Sequence, residues 1–309
     1  MRLRRLSAIA AVAAAVAGTT AAVLPGGPAD RLQPLPALTA PALTARYAAD
    51  SRMITRAESA AARDGNTSLA SALRVMRGHQ VLGFDPQGQG EAIEVLGNLA
   101  RATRVVILVP GSDTSLATFY SRGTASPGGG AEALAAEAHR LDPGAHLAVL
   151  AWLGYQDPST FSSAVMTSGD AGQGASALRA LVTDLAQGGH QVALLCHSYG
   201  SVVCGLAAAH LPVTDIAVYG SPGMDASSVR ALHTTARVWA GRGTSDWIRL
   251  VPHIQFLGLG FGQDPTAPAF GARPFACGGT GHSGYLRPGS ISLRNLAYIA
   301  LGDPAGVTR

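Results

Sequence analysis

Five short runs in this chain are apolar on both faces, and a helical pattern follows each: "RVVILV" (104–109), "AHLAVLAWLG" (145–154), "HQVALLC" (190–196), "DIAVYG" (215–220) and "ARVWAG" (236–241). A strand without a polar face must be covered on both sides. Between and after these runs, "AEALAAEAHRL", "GASALRALVTDLAQ", "YGSVVCGLAAAHL", "ASSVRALHTT" and "SISLRNLAYIALG" read as helices. Strands alternating with helices need crossovers of one hand. The pattern therefore predicts an α/β chain, a mainly parallel, doubly wound sheet with helices on both faces. In such a sheet reactive groups collect at the carboxyl ends of the strands. Upstream, "QVLGFDP" and "AIEVLGN" flank the turn residues "QGQGE" and read as an N-terminal β-hairpin. Residues 25–75 are rich in Pro and Ala without a sustained strand period; they read as a tether turning helical from Arg46, with residues 76–309 as one domain.

The first 24 residues are of another kind. "MRLRRLSAIAAVAAAVAGTTAAV" opens basic, continues apolar and ends in small residues, the layout of a secretory leader. Cleavage is expected near Ala17 or Ala22, with an uncleaved anchor as the alternative. The protein is thus expected to be secreted or bound to the cell envelope, and to touch membrane only through that segment. All 23 basic residues are arginine; without Arg2, Arg4 and Arg5 of the leader, 20 remain against 19 acids. Such a balance offers no clustered positive face, so no nucleic-acid partner is expected. With 47% hydrophobic and 14% charged residues, the chain can bury a large core.

One run ends in a chemical signature. "HQVALLC" stops at His197-Ser198-Tyr199-Gly200, and a helix of small residues begins at once. The pattern G-x-S-x-G sets a serine on a sharp strand-to-helix turn, because small residues on either side let the chain bend tightly. Here Cys196 stands where the first glycine is usual. Ser198 is the candidate nucleophile, the alternative being a plain helix cap. A serine hydroxyl needs a base to take its proton, and the base needs a carboxylate to hold its tautomer. For a serine on such a turn, the partners follow in the order acid, then histidine. Of nine histidines, His253 and His282 are those that follow the turn outside helix patterns and their ends. His282, in the Gly-rich "CGGTGHSGYLRPGS", is the candidate base; His253, among apolar neighbours, reads as structural or as a pocket wall. Asp246, in "RVWAGRGTSDWI", is the candidate acid, and Asp225, in "VYGSPGMD", is its rival.

An attacked carbonyl becomes an oxyanion, which needs fixed donors: the amide after the nucleophile and one from the loop after an early strand. Tyr199 supplies the first; "LVPGSDTS" supplies the second at Ser112, with Gly111 allowing close approach. No C-x-x-C, H-E-x-x-H or calcium-loop pattern occurs, so neither metal nor cofactor is expected. Of three cysteines at least one stays unpaired. Cys196 reads as a small buried residue and Cys204–Cys277 as the candidate bridge, the pairing being open.

Taken in order, "VPGSDTS", "LAVLAWLGYQDP", "CHSYGSVVCGLAA", "VYGSPG", "AGRGTSDWI" and "GHSGYLRPGSISLRNLAYI" resemble the actinobacterial α/β-hydrolase domain family of unknown function, over a span from Gln80 to Gly302. The resemblance implies an α/β-hydrolase fold with nucleophile Ser198, acid Asp246 and base His282. Cys196 departs from the pattern's glycine. The residues point to acyl transfer through an acyl-serine, with small-molecule or lipid-like carboxylic esters as the first substrate class. A peptidase or amidase with the same triad is one alternative, and an exported envelope or binding protein with a vestigial site is another. Residues 155–174, "YQDPSTFSSAVMTSGDAGQG", interrupt the alternation. They read either as a small lid with Phe161, Val165 and Met166 toward substrate or as an irregular surface loop.

Overall fold

The structure is a computed structural model describing residues 32–155, 169–250 and 261–309. The leader, His253 and the lid candidates Phe161, Val165 and Met166 lie outside the described residues. The five apolar runs form β3 (Arg104–Val109), β4 (Leu147–Leu153), β5 (Gln191–His197), β6 (Val213–Tyr219) and β7 (Arg237–Gly241). The upstream pair forms β1 (Gln80–Asp85) and β2 (Glu91–Leu96), an antiparallel hairpin. With β8 (Arg273–Pro274), eight strands make one sheet in the order β1-β2-β4-β3-β5-β6-β7-β8. β2 also runs antiparallel to β4, and every pairing from β4 to β8 is parallel. β8 has two residues, too few for a period to show in the sequence.

Side chains of successive strand residues point to opposite faces, and here both faces are core. Val105, Ile107 and Val109 enter one cluster with Leu194 and Val218. Val106 and Leu108 enter the other with Leu195 and Ala217. The first face is covered by α4 (Gly169–Gln187) and α5 (Gly200–Ala207) through Leu178, Val182 and Val203. The second is covered by α3 (Pro127–Leu141) and α6 (Ile291–Leu301) through Leu134, Leu293 and Leu296. Burying a leucine this fully stabilises the fold by roughly 2 kcal/mol, so the alternation read from the sequence is also its main source of stability.

Two readings change. The helical part of the upstream segment begins at Ala40, not Arg46: α1 spans Ala40–Arg63 and α2 spans Thr67–Met76. Pro41 lies in the first turn of α1, where a missing N–H costs nothing, so it starts the helix instead of breaking it. Leu43, Ile54, Leu73 and Met76 are buried in the sheet's two cores, so both helices belong to the folded body. "ASSVRALHTT" forms only the 3-10 turn Arg230–Leu232, which ends at His233 in the left-handed region.

The parallel register sets where the chemistry can occur. His197 pairs with Tyr219 and Tyr219 with Gly241, while Val109 lies opposite Cys196. The loops starting at Pro110, Ser198, Gly220 and Arg242 therefore leave the sheet at one edge. At the opposite edge, buried Asp215 accepts from Arg237 Nε at 2.7 Å and Nη2 at 2.8 Å, and from Trp239 Nε1 at 3.0 Å. Arg104 Nη2 also reaches Asp215 at 3.5 Å, while its Nε donates to the Ala300 carbonyl of α6 at 3.0 Å.

Candidate active site

β5 hands over to α5 through Ser198, whose φ of 50° is left-handed. That conformation costs a non-glycine residue about 1 kcal/mol. It is held by the Ser198 N–H donating to the Tyr219 carbonyl at 3.1 Å and by Ser201 N–H donating to the Ser198 carbonyl at 2.9 Å. Gly200 is required here: a Cβ would stand 2.4 Å from the Pro110 carbonyl oxygen and 2.6 Å from that of Val109. Gly111 faces the serine itself, and a Cβ there would lie 2.7 Å from Ser198 Cβ.

Cys196 is bonded to Cys204, and Cys277 is the free, buried thiol. This corrects both sequence readings, Cys196 as a mere filler and the bridge from Cys204 to Cys277. Cys196 and Cys204 belong to the core on one face of the sheet, with Cα atoms 6.5 Å apart, whereas Cys277 sits in the core on the other face. Burial pushes the Cys277 thiol up to about 12. The ring closed by the bridge contains Ser198, so the side chain that replaces the usual glycine ties the turn to its helix.

Ser198 Oγ lies 2.9 Å from His282 Nε2, and His282 Nδ1 lies 2.9 Å and 3.1 Å from the two carboxylate oxygens of Asp246. A carboxylate only accepts, so Nδ1 carries the proton and Nε2 presents its lone pair to the serine hydroxyl. Asp246 is fully buried. Its Oδ1 also accepts from the Ile248 N–H at 2.9 Å, and its Oδ2 from the Tyr285 hydroxyl at 2.5 Å. The Tyr285 oxygen in turn accepts from the Gly243 N–H at 3.0 Å. Burial pushes the Asp246 carboxyl up, but the hydrogen bonds from His282, Tyr285 and Ile248 outweigh it and hold the group below its ordinary range. Gly220 makes room for this cluster: a Cβ there would stand 3.0 Å from Asp246 Oδ2 and 3.3 Å from His197 Nε2.

Asp225, the rival acid, is placed otherwise. Its φ is 53°, its N–H donates to the Phe261 carbonyl at 2.8 Å, and burial pushes its carboxyl up. The carboxylate against His282 is that of Asp246.

Three features lay beyond the sequence reading. His197 Nε2 is 2.8 Å from the backbone carbonyl oxygen of His282. Tyr285 donates to the acid. The half-exposed Trp247 packs its ring 4.6 Å from that of His282. His197 was visible within the turn motif and Tyr285 follows His282 by three residues, but nothing local reveals their partners.

A cleft of about 420 Å³ opens over Ser198 and His282. Gly111, which approaches the serine closely, lines it together with Ser112, Tyr199, Thr118, Arg122 and Trp247. Tyr199 is buried, its hydroxyl accepting from the Ala171 N–H at 3.1 Å. Among the described residues no group of three His, Cys, Asp or Glu side chains could hold a metal ion.

A family described as alpha/beta hydrolase matches residues 85–256. Two uncharacterized proteins of Mycobacterium tuberculosis, MT2140 of strain CDC 1551 / Oshkosh and Rv2079 of strain ATCC 25618 / H37Rv, are each 30% identical, over 71% of this chain and 38% of their own length. The chain thus spans well under half the length of these relatives. Among solved structures, XC6422 from Xanthomonas campestris, described as an α/β serine hydrolase without lid, is 16% identical with a TM-score of 0.42, over 69% of this chain and 88% of that one. A dienelactone hydrolase from Anabaena variabilis ATCC 29413 is 18% identical with a TM-score of 0.44, over 71% of this chain and 93% of that one.

Proposed function

The chain belongs to the α/β-hydrolase family, and on that premise we propose that it is an exported serine hydrolase that cleaves carboxylic esters through an acyl-enzyme. The observation that carries this reading is the unbroken hydrogen-bonded series from Ser198 through His282 to buried Asp246, with the serine on a left-handed turn over an open cleft. Ser198 Oγ attacks the ester carbonyl carbon while His282 Nε2 takes its proton. The oxyanion is held by the backbone amides of Ser112 and Tyr199, and Gly111 lets that loop approach. As the tetrahedral intermediate collapses, His282 returns the proton to the departing alkoxide and the acyl group remains on Ser198. Water then attacks the acyl carbon as His282 takes its proton, and on collapse the acyl–Oγ bond breaks while His282 returns that proton to Ser198 Oγ, which releases the acid and restores the serine. Asp246 stabilises the imidazolium in both halves. Esters are favoured over amides because an alkoxide needs less help to leave than an amine. Export rests on the basic and apolar layout of the first 24 residues.

The test is covalent labelling with a fluorophosphonate probe, alongside hydrolysis of p-nitrophenyl butyrate and of the matching anilide. Wild-type protein is expected to label and to cleave the ester faster than the anilide, and Ser198→Ala is expected to do neither. Anilide turnover at the ester rate would move the reading to an amidase. An unlabelled, inactive wild-type protein would leave the site without a catalytic role.

A further inference from the structure

His197, next to the nucleophile in sequence, is a second tie between the serine turn and the base. Its Nε2 lies 2.8 Å from the carbonyl oxygen of His282, and its ring packs 4.8 Å from that of His282, 5.2 Å from Tyr219 and 5.8 Å from Tyr285. A carbonyl oxygen only accepts, so Nε2 must carry the proton. Burial, and then the neighbouring His282, hold the imidazole down at about 3. It is a neutral donor throughout the neutral range, and places no fixed positive charge beside the imidazolium that His282 becomes.

The backbone of His282 needs such a tie. It sits in "CGGTGHSG", where four glycines leave the chain little stiffness of its own. The free serine holds the imidazole at Nε2, while His197 holds the carbonyl of the same residue. Asp246 holds Nδ1 from the side away from the serine, and these two links from adjacent residues of one turn are what fix the base relative to the nucleophile. The two links differ in lifetime. Once Ser198 is acylated its oxygen has no proton to donate, and the first link loses its donor. The second survives acylation unchanged.

Resting on the hydrolase reading above, we propose that His197 is a positioning residue that keeps His282 aimed during deacylation, when the serine no longer holds it. Removing the donor should therefore slow release of the acyl group more than its formation. Misplacing a base by a fraction of an ångström to an ångström costs up to roughly 100-fold in rate. In His197→Phe, kcat for p-nitrophenyl butyrate should fall ~10- to 100-fold with KM within ~3-fold or lower, because slow deacylation lowers both. A burst of p-nitrophenol should appear, with an acylation rate constant less than ~5-fold below that of wild type, and the butyryl-enzyme should accumulate as a mass adduct on the intact protein. His197→Gln, whose amide N–H can reach the same carbonyl, should recover most of the turnover. Equal burst and turnover losses in His197→Phe would overturn the proposal, as would wild-type turnover or a Gln variant no better than Phe. If either variant unfolds, nitrogen NMR of the wild-type protein decides. The proposal requires the Nε2–H tautomer at residue 197 without titration between pH 5 and 8, and an Nδ1–H tautomer sinks it. A wild-type protein that neither labels nor turns over would count against the hydrolase reading itself, while the tautomer measurement would still show separately whether the tie to His282 exists.

Discussion

Asp246 has its two oxygens surrounded by donors from Ile248, Tyr285 and His282, and no water reaches it. An asparagine there would offer an NH2 group where one of those donors now points. Facing His282, it would favour the tautomer with the proton on Nε2, which cannot accept from Ser198. Asp246→Asn is therefore expected to lower kcat by roughly 10³- to 10⁴-fold with little change in KM. Asp225→Asn should stay within about 3-fold of wild type in the same p-nitrophenyl ester assay, and the reverse ranking would reassign the acid. The sequence could nominate Ser198, Asp246 and His282 because the order of these groups along the chain follows from the strand-turn-helix unit. It could not nominate His197 or Tyr285 as their supports. Each acts on a partner distant in sequence, 85 residues away for His197 and 39 for Tyr285, and such contacts leave no local pattern.

Among the elements, the upstream helix shows how composition can mislead. Pro and Ala suggested a tether, yet a proline in a first turn is compatible with a helix, and the apolar residues that dock α1 are spread along its 24 positions. The same helix carries a buried carboxylate, Asp50, whose Oδ2 has no hydrogen-bond partner among the described residues. Burial pushes its carboxyl from 3.8 up to about 6, against a smaller opposite pull from Arg46. The folded state then binds this proton more tightly than the unfolded chain does. Stability should be undiminished by Asp50 below pH ~4, fall as pH rises to ~6, and stay reduced above that by roughly 1–3 kcal/mol. Asp50→Asn should unfold at higher urea than wild type at pH 7.5, and the gap should close at pH 4. A constant gap across that range would mean that Asp50 does not titrate as described. The disulfide within the β5–α5 unit was hidden for a related reason. Three cysteines allow three single bridges, and only the return of α5 onto the face of β5 that carries Cys196 selects one.

In the whole molecule, a buried ionic cluster and the candidate site occupy opposite edges of the sheet. Alternation of apolar runs and helices was enough to foresee a wound sheet covered on both faces. It could not order the strands, because placing β2 between β1 and β4 depends on pairings that a run of apolar residues leaves undetermined. The edge opposite Ser198 is joined by Asp215, which binds Arg237 and Trp239 of β7, and by Arg104 of β3, which reaches both Asp215 and the last turn of α6. Burial pushes the Asp215 carboxyl up, but the bonds from Arg237, Trp239 and Thr214 outweigh it, so the group stays ionised. Asp215→Ala would leave Arg104, whose side chain is 15% exposed, without its charge partner, and Trp239 Nε1 without an acceptor. The expected loss of stability is roughly 2–4 kcal/mol, below that of a wholly buried pair because Arg237 reaches solvent. The parallel register transmits strand positions to the far edge, but the site's own hydrogen bonds all lie at that edge. Urea unfolding of Asp215→Ala should therefore show a lower midpoint with an unchanged slope, while kcat and KM of the remaining folded protein match wild type. A fall in kcat at a temperature where the variant is fully folded would mean that the two edges are coupled through the strands, and that the sheet is more than a rigid mount for the serine.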